Sequence, residues 1–451
     1  MEMGTGKTKT DLDETGELFC EGEIQANLMF APKGVYTNWL TDEIPKEWSD
    51  DFLDMTTIAA WRGGGTAANK AEINTVFQDD PTFKFFAMNI ESLVSDRAFN
   101  IAMAFLEKHR GRVKISIDES VKIKNPTAVA TKAVGRMQHL ANYRRILCGQ
   151  PVPNGPMDMF SQLDWAVPGS LGGSFYAYRA RYAIMQKQYF GTRAVQQIVG
   201  YRDLAELAER IKPITFRKKK VDCLDLPPKV YLKPRLVELT DQQRRIYNEV
   251  RDNATAQLDS QEYVTATLAL TQILRLHQIL CGHVVDEEGK VHRLESKRPQ
   301  AMLDQSEEMK DGIIWATYRD DVDRIEQALY KAYGREKVVS LHGGISDADY
   351  DLGKRRFQDG YADWVVATPQ KAGRGLTLIR SANSLYYSNS NNLDHRDQSE
   401  DRTHRDGQTV KCTYQDLMVE GTVEEKIVQN LRNKINLATA VLSDGYRTWM
   451  I

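Results

Sequence analysis

The sequence predicts an α/β fold built from two parallel-sheet lobes with helical insertions. Three observations carry that expectation. Apolar, strand-like runs alternate with helical patterns in two separate stretches, one from Asn27 to Cys148 and one from Gly312 to Thr368. Several of these runs end in Gly, Pro, Asn or Asp, and open parallel sheets place their ligands beyond the strand carboxyl ends. At 451 residues the chain also exceeds one comfortable hydrophobic core, and Leu226-Pro227-Pro228-Lys229 is a breaker between the stretches. The expected division is lobe one over 1–225, with a helical insertion about 165–217, and lobe two over 226–451, with a helical insertion about 241–281.

Composition narrows the class. With 41% apolar and 27% charged residues the chain reads as globular, not disordered. No apolar run approaches the ~20 residues of a membrane span, and Met1-Glu2-Met3-Gly4 has neither the basic nor the apolar region of a secretion signal. Five scattered cysteines without a Cys-x-x-Cys pair fit reduced thiols in the cytoplasm. Cys281 and His283 are too few to be a structural zinc set. A formal net charge of −2 means that any nucleic-acid binding must use local basic surface.

Taken in order, Gly4-Thr5-Gly6-Lys7-Thr8 comes first. Its glycines allow a tight turn that aims N–H groups at phosphate oxygens; Lys7 suits the β- and γ-phosphates of ATP, and the Thr8 hydroxyl suits Mg²⁺. Met1 stands where the full P-loop pattern has its first Gly, and only three residues precede the turn, where a buried strand is usual. A helix opens within Asp11–Glu23. Asn27–Ala31 reads as a strand reaching Pro32-Lys33, residues about 39–48 as a helix, and Phe83–Met88 as a strand reaching Asn89. Val113–Ile117 alternates as a strand and delivers Asp118-Glu119. An acidic pair there suits Mg²⁺ binding by Asp118 and orientation of an attacking water by Glu119; alone, it equally suits a strand-to-turn Asp beside an exposed Glu.

Arg145–Cys148 is a strand running into Gly149-Gln150-Pro151. From Trp165 to Arg217 the pattern, rich in Tyr, Arg and Ala, reads as mainly helical. The run Arg217-Lys218-Lys219-Lys220 reads on its own as a solvated charge cluster. Asp241–Cys281 is again helical, with Leu268, Leu270, Ile273, Leu274, Leu276 and Ile279 as packing positions. In the second stretch, strands Gly312–Ala316, Val338–Leu341 and Trp364–Thr368 flank a helix at about 320–333, with His342 a polar loop residue. Near the end, Gln398-Ser399-Glu400-Asp401-Arg402-Thr403-His404-Arg405-Asp406-Gly407-Gln408 places Arg402 and Arg405 three apart, on one face if helical. Guanidinium forks suit phosphate oxygens, although an isolated Arg-x-x-Arg is more often a solvated helix start.

In this order the motifs resemble those of the Swi/Snf-type ATPases of the superfamily 2 helicase-like proteins, over nearly the whole chain. Met3–Thr8, Ala31-Pro32-Lys33 with Asn38-Trp39, Asp118–Asn125, Gly149-Gln150-Pro151 with Asn154, Leu224–Lys229, Leu274–Gln278 and Gln398–Gln408 carry the resemblance. The compact form, with Tyr386–Ser390, looks like phage or bacterial members. The chain departs from the family at Ser120-Val121, where Ala-His is usual, and at Cys148 and Gln150, where threonines are. It departs again at Asn391-Asn392-Leu393, where Trp-Asn-Pro is usual, and it lacks the upstream adenine-contacting segment.

The resemblance implies two RecA-like lobes with ATP and Mg²⁺ between them. Gly4, Thr5, Gly6, Lys7, Thr8, Asp118, Gln150, Gly373, Gly375, Gln398, Arg402 and Arg405 would bind the nucleotide, with Thr8 and Asp118 on the metal. Lys7, Glu119, Arg402 and Arg405 would be catalytic, the arginines as fingers from the second lobe. Lys33, Asn89, Lys124, Thr368 and Lys371 would hold the phosphate backbone of double-stranded DNA, with the helical insertions and Arg217–Lys220 gripping the duplex. The expected function is a monomeric, cytoplasmic, duplex-DNA translocase with no membrane contact, and phage or host replication or recombination proteins are conceivable partners. A strand-separating helicase and a DNA-binding scaffold with little turnover are the alternatives.

Overall fold

The computed structural model describes residues 1–33, 35–153, 155–190, 193–260, 266–286, 288–372, 377–389 and 392–433. The chain divides into two compact units, the first of Met1–Gln188 and Val195–Leu224, the second of Tyr189–Ala194 and Asp225–Ile451. In the first, five parallel strands run in the order β2-β3-β1-β4-β5: β1 (Ala26–Ala31), β2 (Thr56–Ala60), β3 (Phe83–Asn89), β4 (Val113–Asp118) and β5 (Tyr143–Leu147). Side chains alternate across a strand, and here both faces are covered. Leu28, Phe30, Phe86, Met88, Ile115 and Ile117 pack with the helices Asp96–Lys108 and Val129–Met137, whereas Met29, Phe83, Phe85 and Ala87 pack with Leu12, Trp39 and Trp48. That is why the strands read as continuous apolar runs. β2 and the helix Ala67–Thr75 escape the sequence reading, because Thr56–Ala60 is short and has only one strongly apolar residue.

Helix α1 (Lys7–Cys20) opens directly from the glycine turn and is fixed to β4 by a buried cation. Lys114 alternates onto the α1 side of the sheet; its ammonium meets Asp11 Oδ1 at 2.9 Å, Glu14 Oε2 at 2.8 Å and Thr15 Oγ1 at 2.8 Å. The helix expected at about 39–48 is present, built of short pieces from Tyr36 to Glu47 with a wide π-type turn over Trp39–Glu43.

The insertion expected to be mainly helical is corrected. Between the helices Met159–Ala166 and Phe175–Tyr182 and the later helix Leu204–Ile211 lie two paired strands, β6 (Ala183–Phe190) and β7 (Arg193–Tyr201). The run Ile198-Val199-Gly200-Tyr201 has two β-branched residues and an aromatic one, whose preference for pleated structure outweighs the flanking Ala and Arg.

The second unit carries a parallel sheet in the order β13-β14-β12-β15-β16-β8, with β9 beside β16. Its strands are β8 (Lys229–Tyr231), β9 (Arg235–Leu236), β12 (Gly312–Trp315), β13 (Val338–Leu341), β14 (Trp364–Ala367), β15 (Asn383–Tyr386) and β16 (Cys412–Met418); β10 (His283–Val285) and β11 (Val291–Arg293) form a separate antiparallel pair. Ile314 and Val366 face one apolar layer and Ile313, Trp315 and Val365 the other. The helices Asp241–Ser260 and Ala266–Cys281 pack on the first layer through Ile273, Leu276 and Ile279. Leu274 does not: it is 40% exposed, because the helix repeat turns it off the buried face that Ile273 and Leu276 share. The Leu268 side chain lies outside the described residues. Among the described residues no helix is long and apolar enough to cross a membrane.

Candidate functional site

The glycine turn is a phosphate cradle in shape as well as in sequence. Gly4 and Gly6 adopt left-handed backbone (φ +75° and +87°), and among the described residues beyond its chain neighbours none comes within 4 Å of where a Gly6 Cβ would stand. Gly6 caps α1, so the unpaired N–H groups of its first turn, with the positive end of the helix dipole, face that opening. Thr5 Oγ1 donates to the Glu2 carbonyl at 2.8 Å, which tightens the turn. Lys7 and Thr8 are half-buried in the first turn of the helix.

The cluster at Arg217–Lys220, read as solvated charge, has a second role: its backbone pins the entry to the cradle. Glu2 N donates to the Lys218 carbonyl at 2.9 Å, and Lys220 N donates to Glu2 Oε2 at 2.8 Å. Gly149, just past β5, also belongs to the cradle. A Cβ there would stand 2.8 Å from Met3 Cγ and 3.2 Å from Lys7 Nζ, so a larger residue would push the Met3 and Lys7 side chains aside. Gln150 follows it, half-buried; Asn154, Gly373 and Gly375 lie outside the described residues.

Asp118 ends β4, buried, with Oδ2 accepting the Trp39 indole N–H at 3.2 Å and Oδ1 accepting Glu119 N at 2.9 Å. Burial, and then the Glu119 charge, push its carboxyl up to about 7, while Lys7 pulls it down. Glu119 itself is held in left-handed backbone at φ +51°, unusual for a residue with a side chain. Cys148, kept a neutral thiol by burial and by Glu119, donates weakly to Glu119 Oε2 at 3.9 Å. Together these groups form an anion cradle beside a buried Asp118 and a half-buried Glu119, a donor set that suits a nucleoside triphosphate with a hard divalent cation. The Thr8 hydroxyl and Asp118 carboxylate fit Mg²⁺: both are oxygen donors, and a cation would compensate a buried carboxylate that has Glu119 for its neighbour.

Other predicted positions cluster at strand carboxyl ends. In the first unit, exposed Lys33 follows β1, half-buried Asn89 ends β3, and Lys124 follows the short turn after β4. Glu91 ties this edge together, accepting from Lys33 N at 3.0 Å and pairing with Lys122 at 2.9 Å. In the second unit, Thr368 and Lys371 line a 380 Å³ cavity with Thr317, Arg319 and His342. His342 Nδ1 accepts from Arg319 Nη1 at 2.7 Å and from Gly344 N at 3.0 Å, which leaves its proton on Nε2 toward Glu326. It is a satisfied loop residue, as expected.

Gln398 and Arg402 are buried on the helix Leu393–Thr403, where Arg402 Nε donates to the Gln398 carbonyl at 3.0 Å. The helix is locked by Arg396, which bonds Asp416 Oδ1 at 2.5 Å and Glu400 Oε1 at 2.9 Å and stacks 3.5 Å from the Tyr386 ring centre. The expectation that Arg402 and Arg405 share a helix face is corrected. The helix ends at Thr403, and Arg405 lies in the following turn, where Gln408 N donates to its carbonyl and Gly407 takes φ +89°. The Asp406-Gly407 pair breaks the helix before the arginine spacing can apply.

Cys281 and His283 do not form a ligand pair. His277, Cys281 and Glu424 lie closer, their ligand atoms within 4.8 Å of one another, yet Arg298 occupies both Glu424 oxygens at 2.6 Å, so the cluster is a buried ion-pair network. Sequence reasoning missed the Trp39–Asp118 bond, the Ser120–Gln162 bond (2.7 Å) and the Lys124–Asp158 pair (3.6 Å). Each joins residues more than thirty positions apart, and only a buried Gln in an apolar helix, at 162, could have hinted at one of them.

Comparison with known proteins agrees with this assembly. The SNF2-related domain family matches residues 1–285, and the helicase conserved C-terminal domain matches residues 295–407. The chain is 25% identical over 380 residues to the TATA-binding protein-associated factor MOT1 of Saccharomyces cerevisiae, covering 72% of this chain and 20% of that protein. It is 25% identical over 341 residues to the putative ATP-dependent helicase/translocase YwqA of Bacillus subtilis, covering 73% of this chain and 35% of that protein. It thus spans about a fifth to a third of the length of these relatives. Among solved structures, the Sulfolobus solfataricus SWI2/SNF2 ATPase core in complex with dsDNA shares 24% identity at a TM-score of 0.40, covering 99% of this chain and 88% of that one. With the first match alone spanning more than half of its residues, the chain belongs to the SNF2-related family of helicase-like ATPases.

Proposed function

We propose that this ATPase translocates along duplex DNA without separating its strands. The observation that carries the reading is the open Gly6 cradle at the N-terminus of α1 together with the buried Asp118 and half-buried Glu119 at the end of β4. In this reading Lys7 and the α1 N–H groups hold the phosphates of ATP, Thr8 and Asp118 hold Mg²⁺, and Glu119 orients the attacking water. Bound Mg²⁺ would supply charge neutralisation for the phosphoryl oxygens. Gln398, Arg402 and Arg405 of the second unit would bind the transferred phosphoryl group and stabilise its charge.

Phosphate contacts would come from Lys33, Asn89 and Lys124 in the first unit and from Thr368 and Lys371 in the second. All lie at or just past strand carboxyl ends, and the cavity holding the last two is flanked by the Arg319 guanidinium. Such contacts hold the backbone and carry no base sequence. One relative's name, helicase/translocase, is compatible with movement on DNA. ATP turnover measured alone, with single-stranded DNA and with duplex DNA tests the proposal, together with strand displacement. Stimulation mainly by duplex, with no displacement, is expected. Displacement of a strand would favour a helicase, and absence of turnover under every condition a scaffold.

A further inference from the structure

We infer that Ser120 and Gln162 form a positioning relay through which a phosphate bound at Lys124 is registered at Glu119; the inference rests on the DNA-stimulated ATPase reading above. Ser120 and Gln162 are 0% and 1% exposed, and neither belongs to the nucleotide cradle. Ser120 Oγ donates to Gln162 Oε1 at 2.7 Å. The Gln162 amide then donates to the Pro151 carbonyl at 2.8 Å and the Asp158 carbonyl at 2.7 Å. Both amide N–H groups and its oxygen are therefore committed, in a helix (Met159–Ala166) otherwise packed through Phe160, Leu163 and Trp165. A buried amide in such a place is costly unless every polar atom is used.

Each end of the relay touches something that matters. Ser120 follows Glu119, whose left-handed backbone persists only if its neighbours over-determine it. The Ser120 tether is one such constraint; Glu119 N on Asp118 Oδ1 is another. Pro151 follows Gln150 in the loop whose Cys148 reaches the Glu119 carboxylate. Asp158 pairs with Lys124 at 3.6 Å, beyond hydrogen-bond length, and a phosphate oxygen can compete for that ammonium. When phosphate draws Lys124 away from Asp158, the charge balance at the start of the helix changes, and Asp158 shifts together with the Gln162 amide that its carbonyl holds at 2.7 Å. Gln162 passes that change to the Gly149–Pro151 loop and to Ser120, and so to the aim of Glu119.

The test is steady-state ATP hydrolysis by the full chain, as wild type, Ser120→Ala, Gln162→Leu and the double variant, with and without saturating duplex DNA. Gln162→Leu keeps the buried volume and removes the amide. Stimulated kcat is expected to fall about tenfold, within the usual span of coupling between sites. KM for ATP stays within about twofold, the DNA-free rate falls less than the stimulated rate because Asp118 still holds the Glu119 backbone, and the double variant is no worse than the worse single one. Unchanged stimulation in the variants, additive losses, or loss of DNA-free turnover in parallel with a lowered melting temperature would each overturn the relay. A wild-type chain that duplex DNA fails to stimulate would overturn both the relay and the function proposed above, an outcome distinct from a stimulated wild type with equally stimulated variants.

Discussion

Replacing Lys114 by Met should unfasten the helix that opens the phosphate cradle. The Lys114 side chain is 1% exposed and that of Asp11 is 0% exposed, with 2.9 Å between ammonium and carboxylate. Methionine keeps the length and apolar stem of lysine and deletes the charge. Asp11 would then be a buried carboxylate whose Oδ1 retains Ser116 Oγ at 3.1 Å and whose Oδ2 has no hydrogen-bond partner among the described residues. Breaking one side of a buried pair costs about 3–5 kcal/mol. For a unit of this size each kcal/mol moves the melting temperature by roughly 2–4 °C, which gives a fall of about 6–20 °C. Glu14 moderates the loss only partly, since it also pairs with Arg145 at the surface. Urea unfolding followed by tryptophan fluorescence would read the change, Trp39, Trp48, Trp61 and Trp165 all lying buried in the first unit. Asp11→Leu combined with Lys114→Met should recover most of the loss, because an apolar pair leaves no charge uncompensated. A single-variant loss below about 1 kcal/mol, or a double variant no better than Lys114→Met, would refute the assignment of a buried, coupled pair.

Three further outcomes follow from the site and its supports. Glu119→Gln should lower kcat by about 10²–10⁴ with ATP affinity preserved, as loss of a positioned base does; turnover equal to wild type would remove Glu119 from the chemistry. Arg402→Ala should cost about 10³–10⁵ in kcat if it stabilises transferred charge, with circular dichroism checking that the buried position still folds; a loss below tenfold in a folded variant argues against the finger role. The third concerns pH. Burial holds His283 down to about 4 from 6.5 and raises Asp321 to about 7 from 3.8. On acidification the unfolded chain takes up the His283 proton first, so that group loses stability as pH falls from 6.5 toward 4. Asp321 already holds its proton in the fold, so it contributes stability that grows as pH falls from 7 toward 4. The two oppose each other across that window. Asp321→Asn should therefore lose unfolding free energy relative to wild type between about pH 6.5 and 4.5, and parallel curves would refute the compensation.

What was legible in the sequence was local. The glycine turn at Gly4–Gly6 opens a helix because left-handed backbone and unpaired N–H groups lie next to each other in the chain. Asp118 sits at a strand end because Val113, Ile115 and Ile117 alternate on one buried face of that strand. What was not legible depends on residues far apart or on competing local preferences. Lys114 in mid-strand reads as solvent-facing under a two-residue alternation; it is buried because α1 covers that face and brings Asp11 with it. The hairpin of β6 and β7 was hidden by helix-forming Ala and Arg on either side. The arginine spacing at 402 and 405 depended on a helix that Asp406-Gly407 ends. Nothing near Ser120 announces a partner 42 residues away.

Two departures from the family pattern acquire a physical meaning from these contacts. Cys148 stands where a hydroxyl is usual, and its thiol still meets the Glu119 carboxylate, though at 3.9 Å and with a weaker donor than a threonine would offer. Ser120 stands where a side chain without a donor is usual, and adds a short bond to Gln162 at 2.7 Å. One link between the acidic pair and the Gly149 loop is thus weakened while another, absent from the usual residue set, is supplied. Glu119 cannot rely on the weaker link for its aim. A 3.9 Å thiol contact restrains a carboxylate loosely, whereas its left-handed backbone must be held firmly by the residues on either side. Asp118 holds it from before, through the backbone N–H; Ser120 holds it from behind, through Gln162. Conservation of a motif's letters is therefore a poor guide to whether its wiring survives in this chain: the wire has moved from the loop's side chain to its backbone carbonyl at Pro151.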